Sequence, residues 1–129
     1  WDSAKNTWGD WEAMDEVVLT KEHFADLWKK IATEFKDYTN IWGYDLMNEP
    51  KGININTLFD NYQAAIHAIR EVDTKAQIVI EGKNYANAAG WEGSSDILKD
   101  LVDPVNKIVY QAHTYFDKNN TGTYKNSYD

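Results

Sequence analysis

A carboxylate at the end of an apolar run is the first feature of this chain that could do chemistry. The apolar segment 41–47 leads directly into Asn48, Glu49 and Pro50. Such a segment is typical of a β-strand, and proline is suited to end one. An acid at the carboxyl end of a strand can exchange protons at the mouth of a barrel or sheet. Glu49 is therefore the leading candidate for a catalytic residue.

Two later apolar segments also end in side chains that could do chemistry. Segment 77–81 ends in a glutamate, whereas segment 107–112 is followed by His113 and Tyr115. The turns that lead into the three segments look like ordinary turns. Because the carboxyl ends of parallel strands lie along one edge of a sheet, these groups are expected to gather near Glu49. The sequence thus predicts a site on one edge of a sheet.

Helical periodicity fills the intervals between these segments. Apolar side chains recur at three- and four-residue steps after Thr20, after Asn56 or Thr57, and over a shorter stretch between 94–96 and Pro104. The predicted strands begin about 30 to 36 residues apart, the period of βα units around a parallel sheet. The opening segment, 1–19, and the polar tail are predicted to be loops. No linker or domain boundary is visible, so we expect one α/β domain.

Composition excludes several classes of partner. The chain has 129 residues, of which 43% are apolar, enough for a core, and its net charge of −8 argues against nucleic acid and anionic membrane surfaces. It contains no cysteine and no run of about 18 apolar residues, so we expect neither disulfides nor a spanning helix. Aromatic residues make up 14% of the chain, and although most should be core, such rings also suit stacking on sugars.

The motifs at the strand ends resemble those of a known family. Asn48-Glu49-Pro50 closing one strand, with His113-Thr114-Tyr115 two strands later, resembles glycoside hydrolase family 5. These are retaining (β/α)8-barrel enzymes that include many cellulases. Segments 54–57 and 115–124 are also similar to bacterial and fungal endoglucanases of this family. The resemblance implies an α/β fold, a partial TIM barrel with three parallel strands, in which residues 1–129 form part of a catalytic domain around barrel strands four to six.

The resemblance also implies a role for each matching residue. Glu49 would be the general acid/base, and Asn48 would hydrogen-bond the sugar 2-hydroxyl in the subsite being cleaved. His113 would line the same subsite, and Tyr115 would donate a hydrogen bond to the nucleophilic carboxylate. Trp91 would be a stacking platform for a sugar. No cofactor and no metal is expected.

The family's nucleophilic glutamate follows a later strand, so we expect it outside this chain. A retaining glycosidase needs two carboxylates about 5 Å apart. Glu81 lies at a neighbouring strand end, but the family has no catalytic acid there. We expect Glu81 to be a pocket-edge or ion-paired residue, and the isolated 129-residue chain to be inactive.

The sequence is compatible with several functions. The most direct is an endo-β-1,4-glucanase acting on a β-linked polysaccharide or oligosaccharide; mannan, xylan or xyloglucan are alternative substrates within the same chemistry. A non-catalytic carbohydrate-binding module is an alternative of another class, but such modules are usually antiparallel β-sandwiches. An ordinary α/β domain with an incidental glutamate is a third. The family resemblance alone implies a secreted protein, since the chain as given carries no signal peptide, and we expect a monomer at full length.

Overall fold

The computed structural model describes residues 20–117 and 122. Within them helices and strands alternate in the predicted order: α1 (Lys21–Phe35), β1 (Gly43–Asp45), α2 (Ile55–Arg70), β2 (Gln77–Glu81), α3 (Trp91–Ser95) and β3 (Ile108–Gln111). Thr20 is the N-cap of α1, as expected. The predicted loop over 1–19 and most of the predicted tail loop lie outside the described residues.

The strands form one parallel sheet in the order β1-β2-β3. Tyr44 is the register partner of Ile78, and Glu81 is the partner of Gln111. The central strand β2 is buried from Ile78 onward, which explains its unbroken apolar run, since strands of parallel sheets are covered on both faces. The expectation of a parallel sheet is confirmed.

Alternation along the strands gives the two faces of the sheet different chemistry. One face carries Tyr44, Ile78 and Ile80, which join the apolar core. Helix α2 supplies the other side of that core through residues that are 0% exposed: Tyr62, Ala65, Ile66 and Ile69. Each large apolar side chain buried here contributes roughly 1.5–3 kcal/mol to stability. The opposite face carries Asp45, Glu81 and Gln111, so polar groups collect there.

A buried ionic network fixes the turns at the amino edge of the sheet. Arg70, at the end of α2, donates through Nε and Nη2 to the two carboxylate oxygens of Asp103, at 2.8 and 2.9 Å. The side chains of this pair are 3% and 1% exposed. Asp103 also accepts from the main-chain N–H groups of Val105 and Lys107. Burial alone would raise the pKa of Asp103, but the Arg70 hydrogen bond and these N–H groups outweigh it and hold that pKa below its usual value.

A second aspartate joins the same network from the turn before β2. Asp73 accepts the hydroxyl of Tyr44 at 2.8 Å and the main-chain N–H groups of Lys75 and Ala76. Burial works to raise the pKa of Asp73, but these donors outweigh it and lower that pKa. Burial, followed by the Asp73 hydrogen bond, raises the pKa of Tyr44. The network therefore holds both acids ionised and ties β1 to the turn.

The predicted bounds of two strands and the predicted starts of two helices need correction. Strand β1 spans only 43–45 of the predicted 41–47, because pairing with β2 covers only those positions, and β3 spans 108–111 of the predicted 107–112. Helix α2 is capped by Asn54, whose side chain accepts the N–H of Asn56, so the cap lies before the predicted Asn56 or Thr57.

The third helix also differs from its prediction. It begins at Trp91, ends at Ser95 and continues as a 3-10 helix over Asp96–Asp100. Ser95, one of the predicted caps, is the N-cap position of this 3-10 helix but makes no side-chain capping hydrogen bond, and the prediction missed the α-helical part before it. Gly93 and two serines are poor helix formers, which accounts for the short α-helical part. The Ser95 hydroxyl instead accepts the N–H of Lys83 at 2.9 Å, which ties this helix to the loop after β2.

Candidate active site

Glu49 lies just beyond β1 at the carboxyl edge of the sheet, with its side chain 27% exposed. Its backbone has φ +49°, in the left-handed region that non-glycine residues seldom occupy. Such a conformation costs of order 1–3 kcal/mol and persists only where surrounding contacts enforce it. The buried Pro50 follows directly, so the chain turns sharply and Glu49 projects from the strand end as predicted.

His113 contacts Glu49 from the end of the third strand. Its Nδ1 lies 2.7 Å from Glu49 Oε1. The main chain of His113 is fixed because its N–H donates to the Ala86 carbonyl at 2.7 Å and its carbonyl accepts from the Ala88 N–H at 3.0 Å. The hydrogen bond with Glu49 raises the pKa of His113, with a further contribution from Glu81, and partial burial opposes these effects. The imidazolium form is therefore favoured beside Glu49.

Glu81 contacts two residues of the site, a role that was not predicted from the sequence. It is 0% exposed, so it is not a pocket-edge residue, whereas the ion-paired alternative agrees with the structure. Its Oε2 accepts the main-chain N–H of Glu49 at 2.7 Å, and its Oε1 accepts from Gln111 Nε2 at 2.6 Å and lies 3.3 Å from His113 Nε2. The available signal was an acid ending an otherwise apolar buried strand, a position where charged residues are rarely tolerated without partners.

Sheet register explains why these groups meet. Glu81 and Gln111 are paired positions on neighbouring strands, and His113 follows Gln111 by two residues, which keeps it on the same face. Asp45 lies on the same face of β1 and is exposed, but partial desolvation, then the charge of Glu81 and a hydrogen bond with it, raise its pKa. The carboxyl edge thus holds three acids around one histidine.

An open cleft of about 510 Å³ lies over this cluster. Its lining consists of Glu49, Tyr85, Asn87, Ala89, His113, Thr114 and Tyr115. Tyr85 and Tyr115 are 46% and 39% exposed, and Lys51 Nζ lies 4.8 Å from the centroid of the Tyr85 ring. The loop that carries Tyr85 has positive φ at three successive residues, 84–86, which turns the chain back toward Pro50, whose carbonyl accepts the Tyr85 N–H at 3.2 Å.

The structure brings together most of the predicted site residues. Glu49, His113 and Tyr115 share the cleft. Asn48 is exposed beside Glu49 but is not part of the cleft lining. Trp91 is also outside that lining, because its ring packs edge-on against Tyr110, with centroids 6.2 Å apart. Packing of α3 on the sheet therefore leaves Trp91 partly buried.

No group of three or more His, Cys, Asp or Glu side chains in 20–117 could hold a metal ion. Over the same part of the chain, no helix combines the length and apolar character needed to cross a membrane.

A parallel βα sheet with an acid and a histidine at its carboxyl edge is the arrangement found in (β/α)-barrel enzymes, whose active sites lie at that edge. The chain matches the family model for cellulase (glycosyl hydrolase family 5) over residues 2–129. It therefore belongs to glycosyl hydrolase family 5, as the strand-end motifs predicted.

Individual relatives support this membership. The chain is 37% identical over 111 residues to endo-beta-1,4-glucanase B of Emericella nidulans, covering 85% of this chain and 34% of that protein. The structure of Pseudomonas stutzeri endoglucanase Cel5A in complex with cellobiose matches with a TM-score of 0.73 and 36% identity, over 82% of this chain and 32% of that one. XacCel5A in complex with cellopentaose matches with a TM-score of 0.73 and 35% identity, over 81% and 35% respectively.

The chain spans about a third of the length of the relatives it matches. The likeness to the solved endoglucanases confirms the predicted fold, a part of an α/β TIM barrel.

Proposed function

We propose that residues 1–129 are part of the catalytic domain of a retaining endo-β-1,4-glucanase, in which Glu49 is the general acid/base. The observation that carries this proposal is the placement of the Glu49 carboxylate, which follows a strand end, bonds to His113 and lines an open cleft. Membership of glycosyl hydrolase family 5 and relatives named endo-beta-1,4-glucanase support it.

The reaction would proceed by double displacement. Glu49 protonates the departing glycosidic oxygen while a second carboxylate attacks the anomeric carbon; Glu49 then takes a proton from the water that releases the sugar. His113 lies 2.7 Å from the acid and can share its proton as it changes between the two states. The cleft leaves Glu49 accessible to both a sugar and water.

The nucleophile must come from a part of the protein outside this chain. Glu81 does not fit that role, because it is fully buried and both of its oxygens accept hydrogen bonds. Tyr115, exposed in the cleft, would donate to the nucleophilic carboxylate, and Asn48 would bind the sugar 2-hydroxyl. The isolated chain would then lack hydrolytic activity.

The substrate would be a β-1,4-glucan. Two relatives were solved in complex with cellobiose and cellopentaose, and the exposed rings of Tyr85 and Tyr115 suit the apolar faces of glucose units. A secreted, monomeric protein stays a prediction. The parallel sheet disfavours the alternative of a carbohydrate-binding module, since those modules are usually antiparallel sandwiches.

The test compares the full-length protein with residues 1–129 alone on soluble β-1,4-glucan, mannan, xylan and xyloglucan. We expect the full-length protein to hydrolyse β-1,4-glucan fastest and to release sugar with retained anomeric configuration, as read by proton NMR, and the isolated chain to be inactive. Faster hydrolysis of another polysaccharide would show that this polysaccharide, and not β-1,4-glucan, is the substrate. A product of inverted anomeric configuration would refute the double-displacement mechanism. Binding without hydrolysis by the full-length protein would favour the carbohydrate-binding module.

A further inference from the structure

A buried carboxylate links the two groups that line the cleft, although it never reaches the cleft itself. Glu81 is 0% exposed, yet it contacts the main chain of Glu49 through one oxygen and the ring of His113 through the other. A charge in this position is costly unless it is fully paired. We propose that Glu81 is a positioning residue that holds the Glu49 main chain and the His113 ring in the geometry needed for proton transfer, an inference that rests on the proposed role of Glu49.

The first part of this role concerns the backbone of Glu49. That residue has φ +49°, and its N–H donates to Glu81 Oε2 at 2.7 Å. A hydrogen bond from a main-chain N–H to a carboxylate is stronger than one to a neutral acceptor. The bond therefore stabilises the unusual turn that aims the Glu49 side chain into the cleft.

The second part concerns the orientation and charge of His113. Its Nδ1 lies 2.7 Å from Glu49 and its Nε2 lies 3.3 Å from Glu81, so the imidazole bridges two acids that come from different strands. Asp45 of β1 is a further charged group at this cluster, since its pKa is influenced by both Glu81 and His113. Removing the charge of Glu81 would leave His113 facing fewer anions, so its pKa should fall.

The neighbouring amide offers a way to separate charge and hydrogen bonding from simple packing. Gln111 Nε2 donates to Glu81 Oε1 at 2.6 Å and lies 3.2 Å from His113 Nε2. In Glu81→Gln, an amide replaces a carboxylate that accepts from both Glu49 and Gln111, so either one donor faces an NH2 group or the Gln111 amide rotates to accept. In both cases the negative charge beside His113 is lost. In the double variant Glu81→Gln/Gln111→Glu, the amide can accept from Glu49 and donate to the new carboxylate, which stays next to His113.

The experiment uses the full-length protein. It measures kcat and KM on soluble β-1,4-glucan over a range of pH, the thermal midpoint, and the pKa of His113 from the NMR titration of labelled histidine. Glu34→Gln on α1 removes an exposed acid by the same change and serves as the control.

We expect Glu81→Gln to lower kcat about tenfold to a hundredfold with little change in KM, because small misplacements of a catalytic group have effects of this size. The pKa of His113 should fall, and the double variant should recover both properties to within a few-fold of wild type. Wild-type kcat and an unchanged His113 pKa in Glu81→Gln, or a loss of stability without these changes, would overturn the proposal.

Failure of the double variant to restore either property would also overturn it. If Glu81→Gln does not fold, the double variant alone tests the proposal, because the proposal predicts that this variant folds and hydrolyses β-1,4-glucan. The histidine titration needs no turnover, so it separates this inference from the proposed function, which fails instead if the wild-type protein does not hydrolyse glucan.

Discussion

Breaking the buried ion pair at the amino edge of the sheet should destabilise the protein strongly. The carboxylate of Asp103 accepts four hydrogen bonds, two from Arg70 and one each from the main chain of Val105 and Lys107. Each oxygen accepts two of them. In Asp103→Asn one oxygen becomes an NH2 group, so two donors lose their acceptor and the Arg70 charge loses its partner.

The expected loss in free energy of unfolding follows from these broken hydrogen bonds and the unpaired charge. An unmade buried hydrogen bond costs about 1–3 kcal/mol, and removing one member of a buried ion pair typically costs about 3–5 kcal/mol. We therefore expect Asp103→Asn in the full-length protein to lower the free energy of unfolding by about 3–5 kcal/mol, measured by urea denaturation at pH 7. The same change in Asp96→Asn disrupts only the exposed pair with Lys99, so this control should leave stability nearly unchanged.

Lowering the pH is a second test of the stabilising role of the Asp103 charge. Because the pKa of Asp103 is lower in the folded protein than in the unfolded chain, its ionised form stabilises the fold above about pH 4, the ordinary range of an aspartate. That stabilisation is lost as the pH falls through the folded-state pKa. The difference between wild type and Asp103→Asn should therefore shrink below about pH 4. Equal stability of Asp103→Asn and Asp96→Asn at pH 7 would refute the argument.

Two further substitutions test how the strands are held. Tyr44→Phe removes the hydroxyl that donates to Asp73 at 2.8 Å and should cost about 1.5–3 kcal/mol in urea denaturation; an unchanged midpoint would show that water replaces the bond. Gly82→Ala would place a methyl group 2.7 Å from both the Ser95 hydroxyl and the Trp91 ring, so we expect a loss of about 1–3 kcal/mol. Gly90→Ala, where nothing lies within 4 Å, is its control, and equal thermal midpoints for the two variants would contradict the packing described.

The elements that the sequence predicted best are those whose pattern is set by burial. Strand β2 has its predicted bounds, Gln77 to Glu81, because apolar residues bounded by turns leave one interpretation. Helix α2 has the predicted apolar stripe, but its start depends on which asparagine caps it. The cap is Asn54, whose side chain accepts the N–H of Asn56. The start of the third helix was predicted too late, because serine and aspartate are common caps. Ser95 does precede the 3-10 helix, but its hydroxyl accepts the N–H of Lys83 in the loop after β2.

Some features of the candidate site could likewise be predicted from the sequence, and others could not. The cleft position of Glu49, His113 and Tyr115 could be predicted, because strand ends in a parallel sheet share an edge. The contact of Glu81 with the Glu49 N–H could not, because it depends on sheet register and on a left-handed backbone conformation that the residue type does not reveal. The family resemblance implied that Trp91 is a stacking platform; its ring packs edge-on against Tyr110 and is not part of the cleft lining, so a stacking role stays a prediction.

The measurement that tests the central claim most directly is the turnover of Glu49→Gln in the full-length protein. Glutamine keeps the size of the side chain and can still contact His113, but it can neither donate nor accept the proton that the reaction needs. We expect kcat on β-1,4-glucan to fall by about 10²–10⁴-fold, while an activated substrate whose leaving group needs no proton should lose much less in the first step. Turnover within a few-fold of wild type on β-1,4-glucan would contradict the assignment of Glu49 as the acid/base.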